Sequence, residues 1–239
     1  MDSLPKLKIF LMLLSLATFT VMVILNAGNA TGLFKGLFRT TPGNISDKYS
    51  TDFTPSGWTF LIWNVIYAWQ LAWLLYALSG ICRRYSPCPC HRWWRVTPPF
   101  CSTVQNGLAL YATWTTIATL LNFAVVLIYK WDVSNETATT ASLSILTLML
   151  VMWFCQENFF LDKYVRYNLT IYPVVIIALT GSMCKDFSVS SPTTNGVFIV
   201  VLLALTCFIF AVRLGLVIRK HSNEPMEVPT PPQPSSTVA

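Results

Sequence analysis

The chain has 239 residues, 54% of them hydrophobic and 11% charged, with a formal net charge of +6. Soluble domains carry about 25% charged residues, so a water-soluble fold is excluded by the apolar surface it would have to hide. Nucleic acid is not an expected partner either, because the Lys and Arg residues sit in short segments between apolar runs, as topology signals do.

Six apolar runs follow in order, at residues 7–26, 58–81, 104–129, 141–161, 169–184 and 197–218. A membrane-spanning helix needs roughly 20 apolar residues. Backbone groups in lipid must satisfy one another within the segment, and the alternation of a barrel strand is missing, so the runs are read as helices. The predicted fold class is all-α, a polytopic transmembrane bundle of six helices, or five if the first is a cleaved signal. The first run has Lys6 and Lys8 before it and small residues after it, as a signal peptide does, but its apolar core is longer than the usual 7–15 residues. The fifth run is short and carries Pro173 near its start; a start at Tyr164 with Arg166 snorkelling to the headgroups would lengthen it. Residues 1–221 form the expected membrane domain. Residues 222–239 hold five prolines and no apolar periodicity and are expected to be a disordered tail.

Orientation follows from the connections. The termini, the second connection and the fourth hold eleven Lys and Arg residues, against five on the other side. Both termini are therefore expected in the cytosol. The sequons at Asn44 and Asn135 fall on the outer side and are the expected glycosylation sites, whereas Asn168 falls inside; Asn29 lies close to the membrane. Used sequons favour the plasma membrane or an endomembrane.

In the second run, Thr54-Pro55-Ser56 supply cap and first-turn residues. Trp63 and Tyr67 are four apart and share a face, with Asn64 and Gln70 nearby. These aromatics lie deeper than an interfacial belt, so they either pack helices or line an amphipathic pocket. The third run contains Trp114, Ala118 and Leu121 on one face with Asn122 beside them. Its small residues permit close helix approach, its Thr and Asn side chains can hydrogen-bond across a contact, and Asn122 is expected to be buried against a neighbour.

The run Gly57-Trp58-x-Phe60 with Trp63-x-x-x-Tyr67, followed by Trp114-x-x-x-Ala118-x-x-Leu121-Asn122, resembles the TspO/MBR family of tryptophan-rich sensory and translocator proteins. Short members have five helices with the Trp-Ala-Leu-Asn motif in the last. Here it stands in the third, so two middle helices are missing relative to them, and three more follow. The resemblance implies a non-catalytic protein that binds or carries porphyrin, haem, sterol or a similar apolar ligand, in a transport or sensing role. It implies pocket positions at Trp63, Tyr67, Trp114 and Asn122, to which the polar Asn64 is added as a candidate. It also admits a mitochondrial membrane. A membrane scaffold or adaptor is the alternative. A small-solute transporter is another, with Asn64, Gln70, Asn122, Gln156 and Glu157 as its polar lining.

Glu157 and Arg213 each lie about five residues before the cytosolic end of their helices, roughly 7 Å inside. Matched depth predicts an interhelical ion pair, with separate snorkelling as the alternative. Cys82, Cys88 and Cys90 stand among arginines at the second connection and are candidates for palmitoylation, or remain free thiols in a reducing cytosol. Cys88-Pro89-Cys90-His91 lacks the usual zinc spacing, and no metal is assigned. Lys163-x-x-x-Tyr167-x-Leu169 has the form of a sterol-contact pattern. The expected partners are the bilayer, an apolar small molecule, a second copy of the chain, and an SH3- or WW-type domain for the PxxP spacing of the tail.

Overall fold

A computed structural model describes residues 3–34, 36–38, 40–85, 98–186 and 193–223. The helices are α1 (Ser3–Thr31), α2 (Pro42–Lys48), α3 (Ile62–Tyr85) preceded by a 3-10 turn at Gly57–Leu61, α4 (Pro98–Trp131), α5 (Asn135–Cys155), α6 (Asp162–Val165), α7 (Ile171–Asp186) and α8 (Thr194–Asn223). Among the described residues five helical segments are long and apolar enough to cross a membrane. The fifth apolar run forms α7, whose 16 residues are fewer than a span needs. It is nonetheless the centre of the bundle: Tyr172, Val174, Val175, Ala178 and Leu179 are all buried. A helix walled by protein on most sides does not have to match the hydrocarbon thickness itself.

The core is a four-helix arrangement in which α4 packs on α5 and α7, and α8 packs on α5 and α7. With no water to escape from, these contacts hold through dispersion and close fit rather than the hydrophobic effect. Helix α3 lies against α4, where the Trp69 ring covers Gly107; a Cβ there would come within 2.5 Å of the indole. Trp69 Nε1 donates to Thr103 O at 2.9 Å across the same contact. Helix α1 touches α3 and α2 and stays outside the core.

Residues 51–56 fold into one end of the bundle. Phe53 is fully buried there, and Ser182 on α7 donates to Phe53 O at 2.7 Å. Asp52 joins two helix starts: Asn135 Nδ2 donates to Oδ1 at 2.5 Å and Asn195 Nδ2 to Oδ2 at 2.9 Å. The sequence suggests Ser56 as a cap for the second span, but it makes no cap bond to its own helix. Its hydroxyl instead donates to Gly181 O at 2.9 Å on α7. Gly181 is required at this crossing, since a Cβ would stand 2.1 Å from Thr59 Cγ2.

At the opposite end the backbone departs from a helix between α5 and α7. A π-helical turn, Gln156–Phe160, ends α5, and one helical turn, α6, follows. The expected extension of the fifth helix back to Tyr164 is therefore corrected: α6 and α7 are separate. Side chains of other helices take the groups that helix continuation would use. Asn106 Oδ1 on α4 accepts from Leu169 N at 2.8 Å and Thr170 N at 3.2 Å. Arg213 on α8 donates to Val165 O at 3.3 Å and Arg166 O at 3.1 Å.

Candidate functional site

Three features contain the residues that could bind a ligand or carry chemistry. The first is an aromatic cluster between α3 and α4. Trp63 stacks on Tyr67 with ring centroids 5.7 Å apart, and meets Tyr111 at 6.2 Å and Trp114 at 6.3 Å edge to face. Phe60 closes on Trp114 at 6.4 Å. Such offset and T-shaped pairs suit the ring quadrupoles. The sequence candidates Trp63, Tyr67 and Trp114 are thus together, and Trp114, 2% exposed, has its faces filled by its neighbours.

Asn64 and Asn122 do not join them. Both are exposed. The expectation that Asn122 is buried against a neighbouring helix is corrected: its Nδ2 donates to Ala118 O at 2.8 Å within α4. The hydroxyls of Thr113, Thr115, Thr116 and Thr119 likewise return to carbonyls of their own helix and do not cross to another. A polar side chain with a carbonyl one turn back has a partner in lipid already, so no second helix is needed.

The second feature is an open-sided cavity of about 520 Å³ on the other side of α4, between α4, α5 and α7. One wall is the α4 face that runs from Gln105 through Ala109 and Ala112 to Thr116 and Ile117. The facing α5 wall includes Leu146, Met149, Trp153 and Gln156. Gln105, Ala109, Ala112 and Thr116 step by three or four, as do Leu146, Met149, Trp153 and Gln156, so each series is one helix face. At 1.5 Å per residue the α4 wall is about 18 Å long. The cavity's amide side chains, Gln105, Gln156 and Asn168, stand at the α6 end, and Thr113 and Thr116 line it further along α4. Trp153 Nε1 is buried without a hydrogen-bond partner.

The third feature is a buried polar node behind that end of the cavity. Arg213 Nε lies 2.8 Å from Glu157 Oε1, and both side chains are fully buried. The N–H does not align with the oxygen, so this contact is an ion pair rather than a directed hydrogen bond. Tyr172 donates to Glu157 Oε2 at 2.6 Å, while Arg213 NH1 reaches Asn158 Oδ1 at 3.0 Å and Asp162 Oδ1 at 3.2 Å. Lys220 lies 2.6 Å from Asp162 Oδ2, and Arg166 lies 3.5 Å from it. Partial burial pushes the Asp162 carboxyl up, but the hydrogen bonds from Lys220 and Arg213 and the charges of Lys220 and Arg166 outweigh it and hold it below its ordinary range. Sequence reasoning reached Glu157 and Arg213 through matched depth. It missed Tyr172, Asn158 and Asp162, for which the π-turn gave no signal.

Asn44 is exposed on α2. Asn135 is exposed at the start of α5, and its amide is held by Asp52. Asn168 is 6% exposed. Cys82 is in α3, with its side chain outside the described set; Cys88 and Cys90 lie outside the described residues, as do His91 and residues 224–239 of the tail.

A family model described as TSPO-like protein matches residues 10–97. That region holds most of α1, all of α2 and α3 and the Gly57–Tyr67 motif; the Trp114–Asn122 motif lies beyond it. No curated protein and no solved structure matches the chain.

Proposed function

We propose that this chain, TSPO-like over residues 10–97, is a multi-pass membrane protein that binds or carries an apolar small molecule in the cavity between α4, α5 and α7. The observation that carries the reading is the cavity itself. Its volume falls within the 300–1,000 Å³ of small-molecule sites, with an apolar body and a few polar groups at one end. The aromatic cluster of Trp63, Tyr67 and Trp114 stands behind the α4 wall. In this reading it holds α4 at a fixed distance from α3, so that the small residues of the opposite α4 face border open space. The role is carriage or sensing rather than catalysis.

Ala112 is exposed on the α4 wall, and Ala112→Trp should fill the cavity without disturbing the core. Protoporphyrin and a photoreactive sterol are the probes. The variant should lose labelling or fluorescence quenching by whichever probe the wild type binds, at least about tenfold, which is 1.4 kcal/mol. Its elution volume and melting temperature should stay those of the wild type. Binding that survives in a well-folded Ala112→Trp protein rules the cavity out.

Both termini are proposed to be cytosolic, which puts Asn44 and Asn135 outside, in a secretory-pathway membrane. Endoglycosidase treatment should then shift the wild-type band, and Asn44→Gln should remove one step of that shift. A wild-type chain without any shift would contradict this placement. Asn135→Gln should also lower the melting temperature, because the longer side chain cannot keep the Asp52 contact.

A further inference from the structure

We infer that the α4–α5–α7 cavity accepts an amphiphile with a neutral, hydroxyl-type head and rejects the same body bearing an ionised carboxylate; this rests on the ligand reading above. The walls are graded. Ile117 and Leu146 lie at one end, and Gln105, Gln156 and Asn168 at the other. Among the described residues the lining contains no Lys, Arg, His, Asp or Glu. Thr113 and Thr116 in the middle have given their hydroxyl protons to Ala109 O at 2.7 Å and Ala112 O at 2.9 Å. Their oxygens can still accept, but the side-chain donors are concentrated at the amide end, and a ligand orients its head there.

Among the described side chains, the cations of the adjacent polar node are committed. Arg213 is paired with Glu157 and Asp162, and Arg166 and Lys220 are paired with Asp162. A buried carboxylate head would have no counter-charge, and an unpaired ion out of water is strongly disfavoured. The available groups also suit a hydroxyl better. It can donate to an amide oxygen and accept from an amide NH2 of Gln105, Gln156 or Asn168. An ionised carboxylate could accept from the amide NH2 groups, but none of them carries the positive charge that would offset its desolvation.

The test uses the full chain in phosphatidylcholine nanodiscs at pH 9, with a diazirine-bearing sixteen-carbon alcohol and the matching fatty acid. Labelling of α4 and α5 peptides is mapped by mass spectrometry and normalised to α1, which stands outside the core and reports bulk lipid. The expected result is alcohol labelling on the cavity walls, lost in Ala112→Trp and in the smaller plug Thr116→Met, with the acid weaker by at least about tenfold. Equal or stronger labelling by the acid overturns the head-group inference while leaving the cavity a ligand site. Labelling of the walls by neither probe, or alcohol labelling that survives both plugs, overturns the ligand reading and the inference with it.

Discussion

Arg213→Gln is expected to lower the unfolding free energy by about 3–5 kcal/mol, the usual effect of leaving a buried charge without its partner. Arg213 is fully buried and serves Glu157, Asn158, Asp162 and two backbone carbonyls of the connection between α6 and α7. Its removal therefore strands an anion and frees backbone groups in a site that water does not reach. Glu157→Gln should also destabilise, since it leaves the guanidinium uncompensated on that side. The double variant should be more stable than the two single losses add up to, with a coupling of about 1–3 kcal/mol as contacting residues show. Arg213→Lys keeps the charge but not the planar fork that reaches carboxylate and carbonyls together, and should recover only part of the loss. The measurement is a denaturant or thermal titration in a fixed detergent. Strict additivity of the two single variants would mean that Glu157 and Arg213 do not sense each other.

Trp114→Ala is expected to cost about 3–5 kcal/mol, as large-to-small changes of buried aromatics do. Trp114 is 2% exposed, with edge-to-face contacts to Phe60 and Trp63. Trp58→Ala is the control, because Trp58 is 48% exposed and should change stability by no more than about 0.5 kcal/mol. Equal effects at the two positions would show that the cluster is loosely packed. The distinction bears on function. In the proposed arrangement Trp114 sets the spacing of α3 and α4, and a ligand-binding defect in Trp114→Ala should appear together with a lower melting temperature. A binding defect at unchanged melting temperature would place the ligand on the aromatic cluster itself.

The helices were legible because their determinant is local: an apolar run of sufficient length in a chain that cannot be soluble. Glu157 and Arg213 were legible as a pair for a related reason, since helix rise converts sequence position into depth. What lay between α5 and α7 was not. The connection there is shaped by Asn106 and Arg213, whose partners lie 47 to 64 residues away in the chain, and no local pattern marks such contacts. The Asp52 junction was hidden in the same way, across 83 and 143 residues to Asn135 and Asn195.

The small residues of the third apolar run show a subtler limit. Ala109, Ala112, Thr113 and Thr116 remove volume from one face of α4. Sequence alone suggests that a neighbouring helix moves in. Whether it does depends on what the neighbour presents, and α5 brings Met149 and Trp153 while the 156–168 connection props the far end. The same signal that usually indicates intimate packing here lines an open-sided cavity.

The placement of Arg213 on the final described helix also orders the molecule's biogenesis. Glu157 leaves the ribosome long before its cation does. Until α8 inserts, the carboxylate has no guanidinium beside it, and the turns that follow α5 lack the group that gathers them. An unfinished chain thus advertises itself by a polar fault in its membrane segment, and that fault is repaired only when α8 docks.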